Sequence, residues 1–181
     1  MTERLGEAMA APPAGPGDSY YPGTGDRPHP GPASVRLSRE IRDAIVRHAR
    51  AELPNEACGF VIGAAAAPDG GAGTRWVPLR NAVASPFRYE IDPMDLLRLT
   101  IETERAGHAM WAIVHSHVAS PARPSPTDVR QSFYPEAVYL LVSLDPAEAD
   151  PITGAESLRA WRIVDGTVHE VALQHTSEPR R

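Results

Sequence analysis

The chain has 181 residues, a hydrophobic fraction of 42% and a formal net charge of −5 at pH 7. That length is enough for one domain with a substantial core, and no apolar run approaches the roughly 18 residues that span a bilayer. The mild negative charge argues against nucleic acid as the main partner, and the single cysteine, Cys58, excludes an intrachain disulfide and a cysteine-rich zinc site.

The composition divides the chain into three parts. Residues 1–33 are rich in Pro, Gly and small side chains, which predicts a disordered tail because such a segment buries too little apolar area to offset its ordering entropy. Residues 34–174 carry the periodic apolar patterns of a folded domain, and residues 175–181 are expected to fray. The first residues carry acids and lack a continuous apolar core, so they do not resemble a secretory signal, and we expect a cytoplasmic protein.

Apolar periodicity within the central part predicts about seven strands and about three helices, a single α/β domain. The helices are predicted from caps and spacing at 38–53, where Ser38 is the N-cap, at 92–107, where Asp92-Pro93 opens the helix, and at 125–133. The strands are predicted in the apolar part of 54–63 and at 74–79, 87–91, 110–114, 137–143, 158–164 and 167–173, the last two joined by an Asp165-Gly166 turn.

The candidate site begins with His115-Ser116-His117, at the end of the apolar run 110–114. Alternate residues of a strand point to the same face, so His115 and His117 direct their imidazoles to one place while Ser116 points the other way. After a short loop, Ser125-Pro126-x-Asp128 has the pattern of a helix start that can return a carboxylate to the two imidazoles. Two nitrogens and one oxygen with an open fourth position are typical of a catalytic zinc site.

Each part of this pattern also has an ordinary structural interpretation. An isolated His-x-His pair is more often a structural pair, and Ser125-x-x-Asp128 is a normal capped helix start. Glu56, at the entrance of the strand within 54–63, is compatible with a solvated acid, and Cys58 is interpreted as a small buried side chain rather than a nucleophile. The conjunction of these features, including the upstream acid, favours a site.

Taken together, Glu56, His115-Ser116-His117 and Ser125-x-x-Asp128 resemble the signature of the JAMM (MPN+) metallopeptidases over most of residues 35–173. The segment 54–59 and the closing segment 161–166 look most like the bacterial Mec-type enzymes, which hydrolyse adducts of small sulfur-carrier proteins. Many members of that family have proline after the second histidine, whereas this chain has Val118. The resemblance implies a cytidine-deaminase-like α/β domain with a mixed β-sheet flanked by helices.

The resemblance also implies roles for five residues. His115, His117 and Asp128 would bind one Zn²⁺, Glu56 would be the general base, and Ser125 would stabilise the oxyanion. The implied partner is a small ubiquitin-like or sulfur-carrier protein that ends in Gly-Gly, with release of cysteine during cysteine biosynthesis as one example. No membrane and no nucleic-acid partner is expected, and the oligomeric state is left open between a monomer and a homodimer.

Two other functions are compatible with the same likeness. A catalytically silent MPN scaffold is one, although such scaffolds usually lack one or more of the metal ligands. A RadC-like DNA-processing protein shares the His-x-His and Ser-x-x-Asp pattern, and the acidic charge balance argues against it. Metal content separates the first alternative from an enzyme, and salt-sensitive DNA binding would favour the second.

Overall fold

The computed structural model describes residues 33–176, which form an α/β domain. In chain order, the strands and helices of this part are β1 (Ser34–Ser38), α1 (Arg39–Ala51), β2 (Cys58–Gly63), β3 (Gly73–Leu79), α2 (Pro93–Arg105), β4 (Ala109–His117), α3 (Pro126–Arg130), β5 (Val138–Ser143), β6 (Ser157–Val164) and β7 (Thr167–Thr176). Two single-turn 3₁₀ helices, at Ala67–Asp69 and Pro146–Glu148, lie in the connections. No helix in this part of the chain has both the length and the apolar character needed to cross a lipid bilayer.

The strands form a closed, mixed sheet in the order β1-β3-β2-β4-β5-β6-β7, and β7 pairs with β1 to complete the circle. Strand β4 is central: β2 pairs with it antiparallel and β5 pairs with it parallel. The closure is uneven, because β1 pairs with β7 over five residues but with β3 only where Leu37 meets Gly73. The predicted mixed α/β domain is therefore confirmed.

The core has two apolar clusters on opposite faces of the sheet. Strand β5 is buried throughout and contributes to both, as its alternation requires: Val138, Leu140 and Val142 lie in one cluster, and Tyr139 and Leu141 lie in the other. Helix α1 packs its buried apolar residues on the first cluster, and α2 packs Leu99 on the second.

The caps that were predicted for α1 and α2 are present. The Ser38 hydroxyl accepts a hydrogen bond from the Ile41 amide at 3.2 Å, and the Asp92 carboxylate accepts one from the Met94 amide at 2.8 Å. Pro93 then occupies the first turn of α2, where a missing amide proton costs nothing. The third helix is shorter than predicted, because α3 ends at Arg130 and not near Phe133.

The predicted strand at 87–91 is wrong. This segment is an irregular loop. Its alternation of apolar and polar residues arises because Tyr89 and Ile91 pack against the cluster beneath α2, and not because the segment pairs as a strand. The side chain of Asn81 accepts hydrogen bonds from the amides of Val83 and Glu90, which removes part of the backbone that a ladder would need.

The chain ends of the domain also differ from the prediction. Residues 34–38 form β1, a strand that the sequence did not predict. The domain does not stop at residue 174, because His175 and Thr176 continue β7 and pair with Leu37 and Ser38. The predicted tail at 1–33, apart from its last residue, and residues 177–181 lie outside the described residues.

Candidate metal centre

The two histidines lie side by side at the end of β4. The register places them on the face of Ile113, which belongs to the cluster beneath α2, while Ser116 points to the opposite face. Their Nε2 atoms are 3.2 Å apart, and both residues are buried. The predicted convergence of His115 and His117 is present because β2 and β5 hold the strand on both edges.

Asp128 completes the cluster from the first turn of α3. Its carboxylate oxygens lie 3.3 Å from His115 Nε2 and 3.6 Å from His117 Nε2. The helix start that presents it is a capping box: the Ser125 amide donates to Asp128 Oδ2 at 2.6 Å, and the Asp128 amide donates to Ser125 Oγ at 3.2 Å. Burial alone would raise the pKa of the Asp128 carboxyl, but hydrogen bonds with both imidazoles outweigh it and hold that pKa well below its usual range.

The geometry around His117 selects the tautomer that a metal ligand needs. Its Nδ1 lies 2.6 Å from the Pro121 carbonyl oxygen, and a carbonyl only accepts, so Nδ1–H donates. In the neutral ring the lone pair is then on Nε2, the atom that faces His115 and Asp128. Burial opposes the charge of His117, yet the hydrogen bonds with Asp128 and Pro121 raise its pKa in the metal-free protein.

His115 is held by packing rather than by a second hydrogen bond. The ring of Tyr89 stacks on it with 4.7 Å between centroids, and its buried Nδ1 has no hydrogen-bond partner among residues 33–176. Burial lowers the pKa of His115, which favours the neutral ring.

These donors fit a divalent metal ion. The ligand atoms of His115, His117 and Asp128 all lie within 4.8 Å of one another. Two imidazole nitrogens and one carboxylate oxygen form a donor set typical of catalytic zinc, and three protein ligands leave a position for water or substrate. A cation there would take the place of the protons that the two Nε2 atoms share with Asp128 in the metal-free protein.

Glu56 is fixed in the site through its backbone. The Glu56 amide donates to the Ser85 carbonyl at 2.8 Å, and the Glu56 carbonyl accepts from the Asn81 side chain at 3.0 Å. The next residue, Ala57, exchanges hydrogen bonds with Ser116: its amide donates to Ser116 Oγ at 2.9 Å, and its carbonyl accepts from the Ser116 amide at 3.0 Å. The segment with Glu56 is thus tied directly to the strand that carries both histidines.

The Glu56 carboxyl is buried, with 6% of the residue exposed, and is not the solvated acid of the alternative interpretation. Burial raises its pKa to about 7, His117 lowers that value and the charge of Asp128 raises it. A carboxyl with such a pKa exchanges a proton readily near neutral pH, which is what a general base requires.

Cys58 behaves as the sequence predicted. It is buried and unpaired, and its thiol lies 3.6 Å from the Leu79 carbonyl oxygen. Burial raises the pKa of the thiol to about 12, with smaller contributions from Glu52 and Glu56. A protonated, buried thiol is a poor nucleophile, so Cys58 contributes packing.

Four residues of the site were not predicted to belong to it. They are Asn81, Tyr89, Ser116 and Pro121. Ser116 was detectable, since a polar residue that points away from its two flanking histidines on a buried strand needs a partner on the other face. Asn81 and Tyr89 gave no such signal, because their contacts to the site span long stretches of sequence.

Comparison with known proteins identifies the family. Residues 38–164 match the model of the prokaryotic homologues of the JAB domain. The chain belongs to this prokaryotic JAB family. The resemblance to the JAMM/MPN proteins that the motif residues indicated is thereby confirmed, and so is the predicted JAB/MPN fold.

Relatives in the family carry names that describe peptidases. The CysO-cysteine peptidase of Mycobacterium tuberculosis is 39% identical over 136 residues, which cover 74% of this chain and 86% of that protein. A desampylase of Haloferax volcanii is 34% identical over 116 residues, covering 61% of this chain and 81% of the relative. A solution structure of a protein from Desulfitobacterium hafniense has a TM-score of 0.68 at 33% identity and covers 80% of this chain and 94% of its own.

Proposed function

We propose that this member of the JAB family is a zinc-dependent peptidase that hydrolyses the bond after the C-terminal Gly-Gly of a small sulfur-carrier or ubiquitin-like protein. The observation that carries the proposal is the meeting of a three-donor metal cluster with a buried carboxyl whose pKa lies near 7. In this proposal His115, His117 and Asp128 hold the metal. A zinc ion bound there would supply Lewis-acid chemistry, which makes water a nucleophile near neutral pH.

Glu56 is proposed as the group that moves the proton. In its ionised form it accepts a proton from the attacking water, and it then donates that proton to the nitrogen of the leaving amine. Its position on the segment tied to Ser116 keeps it next to the ligand strand. Because the metal adds a positive charge nearby, we expect the working pKa of Glu56 to lie below the value of about 7 in the metal-free protein.

Ser125 is proposed to stabilise the oxyanion, and its role as a helix cap leaves it free to do so. Its Oγ accepts the Asp128 amide proton, which uses a lone pair and not the hydroxyl proton. That proton can therefore point at the oxygen of the scissile carbonyl, where negative charge develops. Asp128 is at the same time held by the Ser125 amide, so one helix start serves both the metal and the substrate.

The names of the relatives support the proposed substrate class. One is named for the adduct of CysO with cysteine, one as a desampylase, and one from Thermus thermophilus as a probable TtuB-protein conjugate cleaving protease. These names support a partner of the sulfur-carrier or ubiquitin-like type, with cysteine release as the leading example. A cytoplasmic location belongs to the proposal, because a chain with a single cysteine lacks the disulfide framework that is typical of proteins in oxidising compartments.

The test uses the full chain, zinc and a CysO–cysteine adduct. We expect the protein to release cysteine, a chelator to stop release, and Glu56→Gln to retain zinc while kcat falls by about 100-fold or more. Glu104→Gln, which changes an exposed acid on α2, is the matched control and should behave as the parent.

Two outcomes would overturn this proposal. Release that survives both chelation and Glu56→Gln would exclude the zinc mechanism. Zinc well below one ion per chain after gentle purification, together with no release, would instead favour the silent MPN scaffold.

A further inference from the structure

The leaving group can be inferred from the charges around the site, an inference that rests on the proposed function. Hydrolysis adds water across the scissile amide: the C–N bond breaks, the carrier ends in a carboxylate, and the leaving amine takes up a proton. When the leaving group is a single amino acid, its own α-carboxylate is two covalent bonds from the scissile nitrogen. That carboxylate would enter a site that already contains the carboxyl groups of Glu56 and Asp128.

The two positive charges of the proposed Zn²⁺ would be balanced by the carboxylates of Asp128 and ionised Glu56, so a further negative charge in the confined site is costly unless another cation meets it. When the leaving group is instead a lysine side chain of a protein, no carboxylate enters at this position. An uncommitted cation beside the site would therefore favour a substrate whose leaving group carries a free carboxylate.

Three arginines lie within two residues of Tyr89, Ser125 or Asp128, and two of them already have partners. Arg88 forms an ion pair with Glu90 at 3.9 Å, and Arg130 donates to Thr127 Oγ1 at 2.9 Å. Arg123, two residues before Ser125, is exposed and has no hydrogen bond or ion pair from its guanidinium to any residue between 33 and 176. Its Cα lies no more than about 7 Å from that of Ser125, because two residues of chain reach no further.

The loop that carries Arg123 is held by hydrogen bonds to the backbone carbonyls of the three residues that precede Arg123. Ser120 O accepts from Ser143 Oγ at 2.7 Å, and Ala122 O accepts from Trp161 Nε1 at 2.9 Å. Between them, Pro121 O accepts from His117 Nδ1. Ala122 is fully buried, whereas Arg123, the next residue, emerges into solvent. The guanidinium thus extends from a loop that is hydrogen-bonded to His117, a proposed metal ligand. Because this loop is already ordered, binding a ligand at Arg123 should cost little loop entropy.

We propose that Arg123 binds the free α-carboxylate of the departing residue, so that the preferred substrate is a carrier with one amino acid at its C-terminus rather than a carrier joined to a protein lysine. Arginine suits this task because its planar fork matches a carboxylate in a bidentate pair. Arg123 is then a specificity-determining residue that contacts the leaving group and takes no part in moving the proton.

The experiment compares three substrates made on CysO: a C-terminal cysteine with a free carboxylate, the same cysteine as a carboxamide, and an isopeptide to a lysine side chain in a short peptide. The parent protein should hydrolyse the free acid at least about tenfold more efficiently, in kcat/KM, than either other substrate, as expected for loss of one charge-assisted pair. Arg123→Ala should remove that preference by slowing the free acid alone. Arg123→Lys should retain part of it, and Arg47→Ala, an exposed arginine on α1, should leave it unchanged.

The outcomes separate this inference from the function on which it rests. Equal rates on the free acid and the carboxamide by the parent protein would overturn the role of Arg123 while leaving the peptidase intact. The same holds if Arg123→Ala slows both substrates equally, which would indicate a structural effect. Hydrolysis of none of the three substrates would overturn the proposed function itself. Zinc content and Tm of each variant confirm that folding is unchanged.

Discussion

The two halves of the candidate site are built in different ways. The metal half lies within residues 115–128, and local structure places each ligand: a strand aligns the two histidines, and a capping box presents Asp128. The half that holds Glu56 has no such local frame. Its position depends on hydrogen bonds of residues 56 and 57 with Asn81, Ser85 and Ser116, which lie far away in the sequence.

This difference means that the two halves should fail differently when mutated. If the proposed function is right, damage to the metal half should weaken zinc binding, because only two of the three proposed donors would remain. Damage to the polar contacts around Glu56 should leave zinc binding intact and displace the proposed general base, since the contacts act on the backbone of residues 56 and 57.

The largest effect is expected for Asp128→Ala. This change removes a proposed ligand and half of the capping box, so zinc affinity and kcat/KM should each fall by at least about 100-fold. Metal analysis after dialysis and rate measurements would check this. Asp145→Ala, which removes a cap from the 3₁₀ helix at Pro146–Glu148 far from the ligands in sequence, is the control and should keep its zinc. Zinc retained at parental affinity in Asp128→Ala would rule out the proposed ligand set.

The next effect is expected for Asn81→Ala. One buried amide donates to the carbonyls of Glu56 and Arg88 and accepts from the amides of Val83 and Glu90. Loss of these bonds should lower the free energy of unfolding by about 2 to 4 kcal/mol, because buried backbone groups are left without partners. We expect zinc to remain and kcat to fall by about tenfold or more. An unchanged kcat would show that the loop does not position Glu56.

Ser116→Ala should have a smaller effect of the same kind. It removes the acceptor of the Ala57 amide, and a buried donor without a partner costs about 1 to 3 kcal/mol. Chemical unfolding of the parent and the variant would measure this. Ser157→Ala, at the start of β6, is the control, with an expected change below about 0.5 kcal/mol. Equal stability of Ser116→Ala and the parent would mean that water replaces the lost hydroxyl.

The last effect, which needs no change to the sequence and has at most about the size of the Ser116→Ala effect, is a pH dependence of the metal-free protein. The folded-state pKa of Glu56 is about 7 against a reference of 4.5, so between these values the folded chain binds more protons at this group than the unfolded chain. Stability should therefore fall as the pH rises from about 5 to 7 and level off above, with a slope of at most about 1.4 kcal/mol per pH unit from this group. His117 and Asp128 titrate in the same cluster, so the comparison is with Glu56→Gln, which should have a shallower slope. Parallel stability profiles would exclude a raised pKa.

The same contrast explains how much could be predicted from the sequence. Short spacings predicted the convergence of His115, His117 and Asp128, because strand alternation and helix capping act over a few residues. The caps of α1 and α2 were predicted for the same reason.

The errors lie where distant contacts decide the structure. The segment 87–91 alternates as a strand does, but Tyr89 faces inward to stack on His115, and Asn81 binds backbone groups that a strand would have used. Strand β1 was missed because its partner β7 lies at the other end of the domain, and pairing between such distant segments leaves no local pattern. The role of Asn81 was missed for that reason as well.

The parallel pairing of β1 with β7 has a consequence for how the protein is made. Of the strands between residues 33 and 176, the one that leaves the ribosome first has its five-residue partner in the one that leaves last. Until then β1 has only the single pairing of Leu37 with Gly73 to hold it in the sheet. The barrel therefore closes only after translation of the domain is complete, and the nascent chain carries an open sheet edge throughout its synthesis.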